Sequence, residues 1–328
     1  MGTQKPPPSE DVLHTEAHAG VALVAVAFDH SEDLIGHGIS TGGRDAWLRF
    51  RRNRAAVVAL VVVLALLIAA ICAPWMHTAD PLTADFSAIN QEPSSNHWFG
   101  TDSVGRDQYS RLLYGLRIPL IVALLGTAIT VVIGVLTGVV AGYGGGPVDE
   151  LLSRFTDVMF AFPAFLLALI VVSLFGPALD PYFGGGGRVI LLTAVFALVS
   201  WPSLMRFVRS QALHLKEQQF VEAARVCGSS GWKIIARHLL PNIWGLVFVQ
   251  ASFIAVSVIS TETTLSIFGL GVQPPNPDLG QMLYDGVQHL GLGYADVAFP
   301  SIALTAVILG FTLLGNGVRD ALDPRMHN

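Results

Sequence analysis

The sequence predicts an all-α polytopic membrane protein with six transmembrane helices. The chain has 328 residues, of which 52% are hydrophobic and 13% charged, and its mean hydropathy is +0.57. The apolar residues are gathered into runs long enough to cross a bilayer, which needs about 20 residues of helix. None of the runs contains Asp, Glu, Lys or Arg. The six predicted spans are 55–74, 118–141, 158–175, 189–205, 242–261 and 298–316.

The first run is predicted to be a retained span rather than a cleaved signal. It begins after more than fifty residues and is longer than the apolar part of a signal peptide, which is about 7 to 15 residues. The polar residues 1–45 before it are predicted to form a loosely ordered cytoplasmic tail. An apolar octet at 21–28 is too short to span, and a packed element, a docking segment and no specific role all stay open for it.

The second run carries a stripe of small residues at every fourth position. A helix places such residues on one face, where another helix can approach closely. Gly126, Gly134, Gly138 and Gly142, with Thr130 among them, are therefore predicted to be helix-packing residues in a tight bundle or a dimer. The segment before this run, with Arg106, Tyr109 and Leu113 on one helical face, is predicted to be interfacial rather than buried.

The third and fourth runs contain or adjoin prolines. Pro163 and Pro202 are predicted to kink their helices and to expose backbone to a lined cavity. The fourth run is short, so its ends are expected to extend past Arg188 or Arg206.

The distribution of Lys and Arg predicts the orientation of the chain. These residues accumulate in short cytoplasmic loops, and here they crowd the entrance to the first span and the connection between the fourth and fifth. Both termini are therefore predicted to be cytoplasmic. Arg106, Arg111 and Arg117 are exceptions on the outer side. Cys72 and Cys227 fall on opposite sides of the membrane in this topology, so they cannot form a disulfide with each other, and no metal site is predicted.

The sequence carries no motif for supplying its own energy or for catalysis. Secondary transporters use ionisable groups within their spans, and the predicted spans have none. The phosphate-binding loop GxxxxGK[ST], the zinc motif HExxH and the nucleophile motif GxSxG are all absent. The formal net charge of −5 does not favour nucleic acid as a partner. If the chain moves a solute against a gradient, another subunit is expected to supply the work.

The stretch 221-VEAARVCGSSGWKIIARHLLPN-242 is unusually polar for this chain. It predicts two short helices at a glycine bend, 221–227 ended by Gly228 and 232–239 stopped by Pro241. Glu222 near the start of the first helix favours its dipole. Such a segment would form a stiff protrusion between two spans.

The residue order of this stretch resembles the EAA loop of ABC importer permeases, which docks into the ATPase subunits. Glu222, Ala223 and Ala224, then Gly228, then Pro241 carry the resemblance, and 237-RHLLPN-242 is similar to the peptide-importer branch. Further similar stretches are 46-AWLRFRRNRAAV-57, 98-WFGTDSVGRDQYSRLLYGLR-117, 140-VAGYGGGPVDELLSRFTDVMFAFPAFLLAL-169, 265-LSIFGLGVQPPNP-277 and 314-LGNGVRDALDP-324. Together they resemble the second permease subunit of dipeptide and oligopeptide importers.

The resemblance implies a type I ABC importer permease fold in a bacterial inner membrane. It divides the chain into a tail at 1–45, a first span with an extracytoplasmic segment at 46–117, and a five-helix core at 118–328 with the EAA loop around 206–241. The implied partners are a second homologous permease, two ATPase subunits or domains, an extracytoplasmic substrate-binding protein and membrane lipid. ATP and Mg would be bound by the ATPase partners, and this chain would hold no cofactor and no catalytic residue.

The resemblance implies ATPase-coupling roles for Glu222, Ala223, Ala224, Arg225, Gly228 and Pro241. The nearby Arg225, Lys233 and Arg237 would pair with ATPase carboxylates or with lipid phosphates, and both interpretations stay open.

Several functions also stay open. The implied cargo is a dipeptide or oligopeptide, with nickel, glutathione or oligosaccharide as alternatives. A self-powered secondary transporter and a membrane scaffold or enzyme are the other classes considered. Asp278 and Asp285 on the outer side are candidates for contact with a peptide amino group.

Overall fold

The computed structural model describes residues 43–183, 185–289 and 294–322, and within those ranges the chain contains no β-strand. The predicted tail, apart from its last residues, and the octet at 21–28 lie outside the described residues. The described helices are α1 Gly43–Arg52, α2 Arg54–Met76, α3 Gln108–Gly115, α4 Arg117–Gly144, α5 Gly146–Phe160, α6 Ala164–Phe183, α7 Gly185–Lys216, α8 Gln219–Val226, α9 Gly231–Ile234, α10 Leu240–Ile267, α11 Leu279–Gln288 and α12 Ala295–Leu322. A π-helical turn, Ile235–Leu239, joins α9 to α10.

Five helical stretches are long and apolar enough to cross a membrane, and a bent pair provides a sixth span if it is counted as one. The five are Arg54–Met76, Gln108–Gly144, Gly186–Lys216, Gly231–Ile267 and Ala295–Leu322. The pair is α5 with α6, which meet at 76°. The residues of the predicted third run are divided between these two helices, and the kink predicted at Pro163 is confirmed. Pro163 lies in the break, where its ring disfavours a helical residue before it, whereas Pro202 lies inside α7 without a break.

The core lies where α4, α7, α10 and α12 meet. Val122, Leu192, Ile259 and Val307, one from each helix, are fully buried in one apolar cluster. Helix α2 packs on the other side of α12, where Ala56 lies so close to Gly317 that a Cβ on the glycine would stand 3.1 Å from the Ala56 Cα. The first span is thereby attached to the last.

The small-residue stripe of α4 faces α7 within the same chain. A Cβ added to Gly134 would stand 2.9 Å from the Leu204 Cβ, and one added to Gly142 would stand 2.7 Å from the Ala212 Cβ. Gly126 is less tightly packed, because its nearest neighbour would be the Thr193 carbonyl oxygen at 3.6 Å. The stripe lets two spans of one bundle approach closely, as small residues do in membrane helices.

A buried ionisable side chain lies in the last turns of a span that was expected to have none. The predicted fifth run ended at residue 261, but the helix continues to Ile267 and includes Glu262, which is fully buried. The prediction of spans without ionisable residues was therefore wrong. The predicted run stopped before Glu262 because that residue is charged. The helix itself continues, because Glu262 is buried against the start of α11 rather than exposed to lipid.

The segment between α2 and α3 is held by polar contacts. Asp107 caps α3 and accepts hydrogen bonds from Ser110, Thr78 and His97. Burial raises the pKa of Asp107, but these hydrogen bonds outweigh that effect and hold it below its usual value. Leu113 in α3 is buried, so the expectation of an interfacial helix face was wrong at that position.

Candidate functional site

The candidate site is the short-helix segment, residues 217–239, at the end of the bundle where α7 ends and α10 begins. The first helix of the segment, α8, starts after the turn that follows Lys216, and it has Glu222 in its first turn. A carboxylate there interacts favourably with the positive end of the helix dipole. The first predicted short helix is present with its bounds shifted by one or two residues, whereas the residues of the second begin the continuous helical stretch Gly231–Ile267.

Gly228 ends α8 in the left-handed conformation. Its φ is +75°, its N–H donates to the Arg225 carbonyl at 2.9 Å, and the Ser229 N–H donates to the Ala224 carbonyl at 3.0 Å. These two bonds define a Schellman motif, in which glycine is favoured because it has no Cβ to strain. No atom lies within 4 Å of a Cβ at this position, so the backbone angle rather than space demands glycine.

The inner face of the segment is anchored in the bundle. Val221, Ile234 and Leu239 are fully buried and belong to one apolar cluster with Val139 of α4 and Val208 of α7. Close packing of this kind transmits displacement, because a packed interior has few voids to absorb it. A push on the segment would therefore reach both spans.

The outer face presents exposed charged and small residues next to large exposed apolar ones. Glu222, Ala223 and Arg225 are exposed, while Ala224 is half-buried against the inner cluster. Three large apolar side chains stand around them, with exposed fractions of 42% for Phe220, 84% for Val226 and 68% for Trp232. An exposed apolar patch next to charged residues is typical of a protein-binding surface.

Tyr143 at the end of α4 supports the segment, and sequence reasoning missed it. The Arg225 guanidinium carbon lies 5.5 Å from the Tyr143 ring centroid and the Lys216 Nζ lies 5.9 Å from it. Both distances suit cation–π attraction. Gly231 passes so close that a Cβ would stand 3.2 Å from the ring. Tyr143 stands among several glycines in the sequence, but nothing in the sequence indicates that it contacts Arg225.

Pro241 does not stop the second short helix, so that prediction was wrong. Helix α9, the π turn and α10 follow one another without a gap, and Pro241 is the second residue of α10. Proline has no N–H to donate and its ring clashes with the carbonyl four residues back. The wider π turn accommodates the proline, and the side chain of Asn242 donates to the His238 carbonyl at 2.5 Å.

Asp278 and Asp285, at the opposite end of the bundle, are engaged within the protein. Asp278 is fully buried and caps α11, so the proposed contact with a peptide amino group was wrong for it. Asp285 is partly exposed and accepts a hydrogen bond from Gln281 at 2.8 Å, while the Arg106 guanidinium lies 3.9 Å away. Asp102 in turn accepts from the Arg106 Nε at 2.7 Å.

A cleft of about 190 Å³ lies between α6, α7 and α10, and serine hydroxyls line it. Some hydroxyls on these helices donate to a carbonyl of their own helix, as Ser260 and Thr264 do. Among the described residues, Ser200, Ser203 and Ser257 have no hydrogen-bond partner for their hydroxyls, and all three line the cleft. Free hydroxyls in a membrane helix favour contact with water or a polar solute over contact with lipid.

Two family models match the chain. The model described as the binding-protein-dependent transport system inner membrane component matches residues 134–328. The model described as the N-terminal transmembrane domain of oligopeptide transport permease C matches residues 41–93.

Individual relatives cover nearly the whole chain. A dipeptide transport system permease protein from Alkalihalophilus pseudofirmus is 37% identical over 86% of this chain and 90% of its own length. A glutathione transport system permease protein from Pectobacterium atrosepticum is 38% identical over 95% and 99%. An oligopeptide transport system permease protein from Haemophilus influenzae is 37% identical over 86% and 88%.

One solved structure has a similar fold. It is a chain of the MetNI methionine ABC transporter in an inward-facing conformation, with a TM-score of 0.51 and 18% identity. The similarity covers 64% of this chain and 95% of that one.

Proposed function

Because the chain belongs to the family of binding-protein-dependent transport inner membrane components, the permeases of ABC importers, we propose that it forms half of a translocation pathway for dipeptides and oligopeptides. It is a transport subunit and not an enzyme. The other half of the pathway would come from a second homologous permease, the cargo would be delivered by an extracytoplasmic binding protein, and two ATPase subunits would bind and hydrolyse ATP with Mg.

The observation that carries the proposal is the two-faced short-helix segment. Its inner face is packed on α4 and α7, and its outer face is exposed with three large apolar side chains. An ATPase groove that closes around α8 would push the short-helix segment. The buried inner face of the segment would pass this displacement to α4 and α7. Glu222, Ala223 and Ala224 would face the groove, and Gly228 would keep the bend that projects them.

The proposed orientation places this segment in the cytosol, where ATP is found. Arg49, Arg51 and Arg52 lie in α1 before the first span, and Lys216, Lys233 and Arg237 lie in or beside the short-helix segment. Both groups of cations are on the same side of a six-span topology, as the positive-inside rule requires of cytoplasmic regions. The chain termini would then both be cytoplasmic in a bacterial inner membrane.

The proposed pathway wall is the serine-lined cleft. Peptides carry amide groups that hydrogen-bond to hydroxyls irrespective of the peptide's side chains, and the cleft has no charged residue among its lining. A wall of this kind would let many peptides pass and leave selection to the binding protein.

The cargo proposal rests on the names of the relatives. Two of those described above are dipeptide and oligopeptide permeases and the third is a glutathione permease. Glutathione is itself a tripeptide, so it suits the same uncharged wall and is the second candidate. Nickel and oligosaccharide find no support among these relatives.

The test is reconstitution. The chain, a second homologous permease and two ATPase subunits are placed in liposomes with the binding protein, and uptake of a labelled dipeptide and of labelled glutathione is measured with and without ATP. The proposal expects uptake only with ATP and with every subunit present. Uptake by this chain alone, driven by an ion gradient, would instead support a secondary transporter.

A further inference from the structure

Two carboxyl groups meet inside the protein where α10 ends and α11 begins. Glu262 belongs to the last turns of α10, and Asp278 is the N-cap residue of α11. Both side chains are fully buried, and the two carboxyl groups are close enough for their charges to interact. An ionisable residue inside a membrane helix is costly, so it calls for a functional explanation and a named partner.

The donors around the pair are too few for two carboxylates. One oxygen of Asp278, Oδ2, accepts from the Ser266 hydroxyl and from the Gln281 N–H, the latter at 3.2 Å. The other oxygen of Asp278 and both oxygens of Glu262 have no hydrogen-bond partner among the described residues. Three buried acceptor oxygens without a donor are exceptional, because nearly all buried polar atoms are paired.

The charged groups on the neighbouring elements are engaged elsewhere. From α7, Arg188 donates to the carbonyls of Leu270 and Gly271. The charged residue of helix α4, Arg117, donates to the Ala70 carbonyl at 2.6 Å. The remaining neighbours are Arg111 of α3 beside Asp102, Asp285 of α11 bound to Gln281, and Asp296 of α12 bound to Gln108.

The pair is closed off from water by tight glycine contacts. A Cβ on Gly280 would stand 2.5 Å from the Ser266 Cβ and 2.8 Å from the Thr263 carbonyl oxygen. Gly271 packs against the same serine, and Gly115 of α3 lies against the Asp278 backbone. Two ionised carboxylates in such a site would repel each other at low dielectric with little solvation to compensate.

We propose that Glu262 and Asp278 bind one proton between them at neutral pH, and that this carboxyl–carboxylate hydrogen bond fastens the start of α11 to the end of α10. A protonated carboxyl is an O–H donor, so one proton supplies a donor between the two carboxyl groups, and the neighbouring Thr263 hydroxyl is the one other donor beside Glu262 among the described residues. The proton is assigned to Glu262, because the Asp278 carboxylate already receives the Ser266 and Gln281 donors. Glu262 then donates to Oδ1 of Asp278.

Independent support comes from Asp278, which lies outside the spans. Burial raises its pKa, and the hydrogen bonds from Ser266 and Gln281 counteract only part of that increase. The inference does not depend on the proposed cargo or on the ATPase partners. It concerns a proton-binding site that holds two elements together at the end of the bundle opposite the short-helix segment.

Infrared spectroscopy tests the bound proton directly. The complex purified in detergent at neutral pH should show the C=O stretching band of a buried protonated carboxyl, and the band should be lost in Glu262→Gln. The matched control is Asp285→Asn, which removes a carboxyl of α11 that is not part of the pair. This variant should keep the band. An unchanged spectrum in Glu262→Gln would overturn the proposal.

The pH dependence of stability provides the second measurement. The folded protein holds a proton that the unfolded chain releases above the ordinary Glu pKa of about 4.3, so stability should fall as pH rises from that value through neutral, by up to about tenfold in the unfolding equilibrium per pH unit for one proton. Glu262→Gln keeps a donor toward Asp278 but cannot titrate, so its thermal transition should lose this dependence. Asp285→Asn should keep it, and equal slopes in wild type and Glu262→Gln would count against the shared proton.

A bound metal cation is the competing explanation for the orphaned oxygens. At fixed pH the thermal transition is measured over a range of sodium, potassium and calcium concentrations in wild type and Glu262→Gln. The proposal expects the same dependence on salt in both proteins. A cation-specific stabilisation seen only in wild type, with no protonated-carboxyl band, would assign the site to that cation instead.

Discussion

Gly138 in α4 lies directly against Val208 in α7, so closely that a Cβ on the glycine would stand 2.7 Å from the Val208 Cβ. The carbonyl oxygen of Met205 would be equally near, at 2.7 Å. The residues around this contact also form the cluster that anchors the short-helix segment. The contact therefore links the packing of α4 against α7 to the short-helix segment, which the ATPase subunits are proposed to push.

Gly138→Ala should destabilise the protein through this contact. Alanine favours a helix by about 1 kcal/mol over glycine, but the clash with backbone forces α4 and α7 apart and costs about 1–3 kcal/mol. The measurement is the thermal transition of the purified protein. Gly144→Ala in the same helix is the control, because no atom lies within 4 Å of its Cβ. A transition unchanged in both variants would contradict the close packing.

Gly228→Asp should leave the chain inserted in the membrane but strongly reduce ATP-driven uptake. A residue with a side chain pays about 1–2 kcal/mol in the left-handed conformation, and a new carboxylate stands beside the proposed docking face. Uptake and membrane abundance are measured together. Gly228→Asn is the isosteric control, since asparagine tolerates this backbone angle and adds no charge. Full uptake by Gly228→Asp would remove the coupling role from this bend.

Trp232→Ala should weaken binding of the ATPase subunits by about tenfold or more without loss of folding. A large aromatic side chain at the centre of an interface is typical of a binding hot spot, and this one is 68% exposed in the isolated chain. Co-purification and titration of the ATPase subunits measure the effect. Tyr294→Ala, which removes another highly exposed aromatic side chain, should leave binding intact. An equal loss in the two variants would argue against a specific surface.

Cys227 should react with a membrane-impermeant thiol reagent in inverted vesicles but not in intact cells. Its side chain is exposed beside Gly228, so failure to react in intact cells would reflect sidedness rather than burial. Labelling is measured in a Cys72→Ala background, which leaves one cysteine in the chain. Labelling of Cys227 in intact cells would place the short-helix segment outside and refute the orientation.

Ser257→Leu should reduce peptide uptake while the assembled complex keeps its ATPase subunits. The leucine side chain would occupy the cleft between α6, α7 and α10 and close the proposed wall. Ser257→Ala removes only the hydroxyl, so comparison of the two variants separates blocked volume from a lost hydrogen bond. Uptake at the wild-type rate in Ser257→Leu would locate the pathway elsewhere.

The sequence by itself determined the features that depend on local composition. Runs of about 20 apolar residues must be helices in a bilayer, and the fourfold spacing of Gly134, Gly138 and Gly142 must place them on one helix face. The polar stretch with Glu222 and Gly228 likewise predicted two short helices at a bend, because glycine at a helix end is a local signal. These inferences required no knowledge of which elements meet.

The tertiary structure alone decided how helices continue and what their ends contact. Pro241 is accommodated by a π turn in a continuous helical stretch, whereas Pro163 coincides with a 76° break. Glu262 was left outside its predicted span because a charge ends an apolar run, yet the helix continues over it. Glu262 is buried beside Asp278, which belongs to the next element. No pattern within a single run of residues predicts that these two residues lie together.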